Sequence, residues 1–170
     1  MGNEQAILEV LERIRSRFYG KYRGVVTDVE QSGRGRIKAT VPAVLGDTPT
    51  GWCDPCVPYA GSSVGIAFLP EVGSGVWIEF EGGDVSYPIW TGCYWSTGDI
   101  PSAASADVKT IITNAGTLAF DNSASSVTLQ DSASDSLVFD SSGATITAGS
   151  GKIEVGASGV SVNSGALEVS

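Results

Sequence analysis

The sequence contains no histidine. That absence removes Ser-His-Asp and Cys-His catalysis, imidazole general bases and histidine-ligated metals together. Basic residues are scarce: 10 Lys and Arg stand against 19 Asp and Glu, a formal charge of −9. Such a surface repels phosphate, which speaks against a nucleic-acid binder or a protein held on anionic lipid. No apolar run approaches the length of a membrane span. Residues 1–20 are charged and amphipathic and lack the apolar centre of a secretory leader, so synthesis in a reducing cytosol is expected. The three cysteines, Cys53, Cys56 and Cys93, are then free thiols.

What is present falls into three zones, 1–20, 21–98 and 99–170. In the first, Ile7, Val10, Leu11, Ile14 and Phe18 repeat at the spacing of one helical face, with charges elsewhere and Gly20 as a stop. A helix this short needs something to dock on. The second zone reads as all-β. Strands are expected over 22–30, 36–41, 63–69, 76–80 and 88–94, separated by Gly-rich turns. All four tryptophans (52, 77, 90 and 95) lie here, which places the hydrophobic core in this zone. Short strands in so little chain suit a small Greek-key barrel of the OB type.

The third zone has no Trp or Tyr, and Phe120 and Phe139 are its only aromatics. Apolar pairs punctuate a Ser/Gly/Ala/Asp background: Leu118/Phe120, Val127/Leu129, Leu137/Phe139 and the single Ile146, then Ile153/Val155, Val160/Val162 and Leu167/Val169. Composition alone would read as a disordered linker. A linker has no reason to keep a period of two, so ordered β-repeats are the better reading. One copy cannot fold alone, because two apolar side chains per repeat do not offset the entropy of ordering it. Identical chains around one axis supply the missing burial and cover the strand edges. The expected product is a homotrimeric β-helix or β-prism stalk, with those apolar residues as its core and subunit interface.

The blocks Tyr19–Asp28, Gly33–Lys38 with Val41-Pro42, Gly51–Gly61, Phe68–Gly73, Val76–Asp84 and Tyr87–Cys93 carry a resemblance. Together they resemble the OB-fold domain of the phage baseplate assembly protein V and VgrG spike family of contractile injection systems. The resemblance implies a mainly β structural protein, not an enzyme and without cofactors. It implies a homotrimeric central spike beneath the tail hub, driven through a target membrane when the sheath contracts. The chain shows neither a fused hub domain nor a lysozyme domain, so a separate hub protein is implied, alongside other baseplate proteins and a PAAR-type tip protein. Val160, Val162, Leu167 and Val169 would dock the tip partner. Ile7, Val10, Leu11, Ile14 and Phe18, with Arg34, Arg36 and Lys38, would contact the hub or another partner. The product would belong to an assembled particle with transient membrane contact and no nucleic acid. Two rival readings stand beside it: a trimeric fibre or adhesin stalk, and an OB-type oligonucleotide- or sugar-binding module with a disordered tail.

Other candidate chemistry has bland explanations. Cys53-Asp-Pro-Cys56 has redox spacing but lies in a β region with nothing to activate a thiol. Glu71, Glu79, Glu81 and Asp84 offer a glycosidase-like set of carboxylates, with Glu79 and Glu81 expected beside Trp77 on a solvated strand face. The aspartates at 121, 131, 135 and 140 do not follow a calcium-repeat pattern and are expected to solvate turns.

Overall fold

The computed structural model describes residues 2–31 and 33–169. Two compact units divide the chain, Met1–Asp99 and Ile100–Ser170.

The first unit opens with helix α1 (Gly2–Arg15). Strands β1 (Tyr22–Val29) and β2 (Ile37–Thr40) follow, then the single turn α2 (Pro42–Leu45). Three two-residue strands come next: β3 (Asp54–Pro55), β4 (Ala60–Gly61) and β5 (Val64–Gly65). Strands β6 (Gly75–Phe80) and β7 (Pro88–Tyr94) complete the unit. The main sheet runs β2-β1-β6-β7-β3. Cys53 exchanges both backbone hydrogen bonds with Ile37 of β2 (2.8 and 3.3 Å), and the next two residues pair in parallel with β7. Residues 53–55 thus link the two flanks and curl the sheet into an OB-like barrel.

Strict alternation explains the core. In β6, Val76, Ile78 and Phe80 point inward while Trp77 and Glu79 stay partly exposed. Ile37, Ala39 and Val41 meet them from β2 and its end, with Val26, Cys53 and Trp90 filling the remainder. Trp90 alone of the four tryptophans is buried; its indole N–H donates to the Gly35 carbonyl at 3.2 Å. Trp95 is exposed.

The second unit is one antiparallel meander of eight strands, each hydrogen-bonded to the next in sequence. They are β8 (Val108–Thr113), β9 (Gly116–Asp121), β10 (Ser126–Asp131) and β11 (Ser136–Asp140). Then come β12 (Gly143–Ala148), β13 (Gly151–Gly156), β14 (Gly159–Val162) and β15 (Leu167–Val169). Ser125, Ser134, Asn163 and Ser164 take left-handed backbone conformations at the turns. A disordered tail is therefore set aside.

Several expectations change. The helix stops at Arg15, before Gly20, and Phe18 leaves its stripe. The Phe18 N–H donates to the Gly83 carbonyl at 2.8 Å, and its ring packs edge-on to Phe80 and Tyr22. Of the strand expected over 63–69, only Val64–Gly65 pairs, in a minimal hairpin with Ala60–Gly61. Residues 66–70 lie outside any strand, because β5 finds no partner beyond β4. Glu81 does not continue β6 but opens a 3-10 turn, Glu81–Gly83. Strand β8 was not expected.

Candidate functional site

The register of the second unit sorts its side chains into columns. Ile111 stands opposite Leu118, Leu118 opposite Leu129, and Leu129 opposite Leu137. The same column continues through Ile146, Ile153, Val162 and Leu167. Beside it runs a second column, Lys109, Phe120, Val127, Phe139, Ala144, Val155 and Val160. Period-two geometry puts both columns on one face of the sheet. The intervening column, Thr110, Ala119, Thr128, Val138, Thr145, Glu154 and Ser161, lies on the other face and is mostly polar.

Among its described residues the second unit is a single layer and offers the apolar columns no cover of its own. Ile111, Phe120, Leu129, Phe139, Ile146, Ile153, Val155 and Leu167 are 39% to 60% exposed. Leu118, Val127, Leu137, Val160 and Val162 are half-buried. The side chain of Val169 lies outside the described residues. A continuous apolar face of this extent marks an interaction surface. Ile111 and Ala144 belong to it although the sequence pattern did not single them out. Ile111 sits beside a second isoleucine, and Lys109 takes the place of its apolar mate.

The turns are fixed by aspartates. Asp121 Oδ1 accepts from the Ser123 and Ala124 backbone N–H groups at 2.9 and 3.0 Å and from the Ser123 hydroxyl at 2.7 Å. Those bonds, the Ala124 amide first, hold its carboxyl below the usual range. Asp131 Oδ1 accepts from Ala133 and Asp135 N–H at 2.8 and 2.9 Å, and Asp140 from Ser142 N–H at 2.7 Å. Asp135 Oδ1 accepts from the Gly149 N–H at 2.7 Å and so ties one hairpin to the next. These carboxylates shape turns as well as solvating them.

In the first unit, Ile7, Val10, Leu11 and Ile14 are all exposed, as is Leu8. The basic cluster is neutralised from within: Arg36 pairs with Glu30 at 2.5 Å, Arg34 with Asp54 at 3.3 Å and Lys38 with Asp28 at 3.8 Å. Arg36 and Lys38 also lie over the Trp52 ring, 5.7 and 4.5 Å from its centroid. Glu30 is lowered from 4.5 to about 2, first by the Arg36 side chain and next by the Arg34 backbone amide. Little unpaired positive charge is left there for an anionic ligand.

The remaining candidates separate. Cys53 is buried, its thiol 3.2 Å from the Thr50 hydroxyl, and burial pushes its pKa up. Cys56 is exposed, and neither thiol is bonded to the other. Glu79 pairs with Lys21 at 3.1 Å. Asp84 accepts from the Ser86 N–H and pairs with Arg17 at 3.0 Å, which holds it low, the opposite of what a general acid needs. Among the described residues no group of three or more metal-ligating side chains forms a metal site. No described helix is long and apolar enough to cross a membrane.

A self-contained OB unit and an antiparallel sheet with one bare apolar face define the class: an OB-fold protein that carries a β-sheet interaction surface. The family model of the type VI secretion system/phage-baseplate injector OB domain matches residues 22–95, and that of the phage baseplate V C-terminal trimerisation domain matches residues 108–168. The two matched segments cover most of the chain, which therefore belongs to the phage baseplate V family of VgrG-like injector proteins. It is a spike-type structural component of a baseplate that self-associates as a homotrimer. A search of curated proteins gave no match.

Proposed function

We propose that the chain is the central spike of a contractile injection machine. Three sheets turn their apolar faces inward and form a prism, one wall per chain, with the polar column outward. Such a shaft is narrow, hydrogen-bonded along its length and dry inside, so it transmits the force of sheath contraction to a small area of target membrane. The observation that supports this reading is the pair of apolar columns on one face of the sheet, the first running from Ile111 to Leu167 and the second apolar from Phe120 to Val160 once past Lys109 in β8.

The working division is 1–20 as an N-terminal segment, 21–98 as the OB domain and 99–170 as the shaft. The OB domain faces a separate hub protein. β15 is an edge strand of the sheet, and its unpaired backbone groups recruit a tip partner of the PAAR type over residues 160–169. No residue arrangement described above supplies a catalytic step, and the role is mechanical.

Light scattering on the purified chain tests the trimer, with an expected mass about three times 17.5 kDa. Electron microscopy of assembled particles tests its place. Threefold density on the particle axis, distal to the hub, supports the spike; this chain anywhere else in the particle overturns it.

A further inference from the structure

Helix α1 presents a problem that the OB barrel does not solve. Every described side chain on it is exposed, and Ile7, Leu8, Val10, Leu11 and Ile14 are 42% to 63% exposed. A helix of 14 residues is marginal in water unless its apolar face is packed. Its exit is firmly held: Phe18 is bonded to Gly83 and sits against Phe80, and Arg17 is paired with Asp84. The barrel therefore fixes where the helix leaves and leaves its stripe bare.

Residue type indicates what covers the stripe. Ile7, Leu11 and Ile14 fall four and three apart, the alternation of a coiled-coil seam. Placed in that frame, Leu11 takes an a position and both isoleucines take d positions. Leu at a with Ile at d favours three or four strands over two. The family match of residues 108–168 makes the chain a homotrimer, which selects three. Threefold symmetry also supplies the partners. Three copies of α1 are tethered to one assembly at an effective concentration of roughly millimolar or more. Glu9 and Glu12 lie on the opposite side of the helix, free to face water.

We propose that the three α1 helices of the homotrimer pack against each other as a parallel three-helix bundle, so that the occupants of the Ile7–Leu11–Ile14 stripe are the same stripes of the sister chains. This rests on the homotrimeric reading. The trimer is then fastened at the N-terminal segment as well as through the sheet. The helix stripe is spent on self-association, and a hub protein must use other surfaces.

Hydrogen exchange on the full-length chain, purified without other proteins, tests the bundle. Backbone amides of residues 6–15 should be protected in the wild-type trimer. They should lose that protection in Leu11→Asp, whose mass by light scattering should stay trimeric because the sheet is intact. A photo-crosslinking benzophenone residue at position 11 should give covalent dimers and trimers of the chain. A wild-type trimer whose residues 6–15 exchange like a free peptide overturns the bundle. So does protection that arises only after a hub protein is added. A chain that scatters as a monomer instead overturns the homotrimeric reading on which the bundle rests.

Discussion

The OB unit and the C-terminal sheet use the same period-two alternation and end in opposite situations. In the OB unit the sheet curls on itself, so the inward residues of β1, β2, β6 and β7 meet one another. Val26, Ile37, Ala39, Val41, Val76 and Ile78 are 0% to 1% exposed. In the sheet β8–β15 the strands stay side by side, and among its described residues none is buried. One layer has nothing to pack on, and a domain needs at least two. The difference teaches that alternation fixes which face is apolar, whereas curvature decides whether one chain can cover it. The first unit has a core of its own. In the proposed prism the second takes its core from copies of the chain, and its stability then depends on their concentration.

The largest effect should come from charging the borrowed core. Val127 stands between Phe120 and Phe139 on the apolar face, and Thr128 is its neighbour on the polar face. Val127→Asp puts three carboxyls inside the proposed prism, each without a partner, at about 3–5 kcal/mol per chain. Thr128→Asp should stay within about 1 kcal/mol of the parent. Light scattering should show loss of the trimer for the first and a full trimer for the second. Equal behaviour of the two variants would mean that the faces are assigned wrongly.

The complementary test truncates the self-contained core. Ile78 is fully buried, and Ile78→Ala should cost about 2–5 kcal/mol. All four tryptophans lie in the first unit, so indole fluorescence reports its unfolding alone. The fluorescence transition should move to lower denaturant while the mass at the old midpoint remains trimeric. Simultaneous loss of both signals would show that the units do not hold together by separate means.

A smaller effect is expected from Gly143, where β12 begins. Its φ is +136°, and a Cβ there would strike the carbonyl of Val155 across the pair β12–β13. Gly143→Ala should cost about 1–3 kcal/mol of strain, confined to the sheet. The trimer should melt earlier, with the indole transition unmoved. A variant as stable as the parent would argue against the tight approach of these strands.

Legibility followed the same division. Val76, Ile78 and Phe80, like Ile37, Ala39 and Val41, were readable because both partners of each contact carry clean alternation. The apolar pairs from Leu118 to Leu167 were readable for the same reason, and hairpin geometry alone then stacks them into columns. What escaped reading depends on partners far along the chain. Phe18 keeps the helical spacing but is drawn into the barrel by Gly83 and Phe80. Ser63–Leu69 has strand composition, yet only two of its residues find an edge to pair with. β8 was hidden because Lys109 interrupts its apolar alternation. The turn-fixing role of Asp121, Asp131 and Asp140 needs the positions of backbone amides, which composition does not carry. The same holds for Arg34, Arg36 and Lys38, a basic cluster in sequence whose charges are each matched by a carboxylate.

The smallest effect separates the units by acidity. Glu30 has its carboxyl lowered from 4.5 to about 2 by Arg36 and by the Arg34 amide. A carboxyl whose folded pKa lies below its unfolded value stabilises the fold fully above the unfolded pKa. That contribution fades as pH falls through the folded one. The window therefore runs from about pH 4.5 down to about pH 2. Glu30→Gln keeps the shape but removes the ionisable group, so the variant should unfold more easily than the parent at pH 7. The gap between them should narrow through that window and close near its lower end. Indole fluorescence during denaturant unfolding at stepped pH reads the gap in the OB unit alone, free of the sheet, where Asp121 is also held low. A gap that stays constant from pH 7 to pH 2 would show that Glu30 acts through packing and not through its charge.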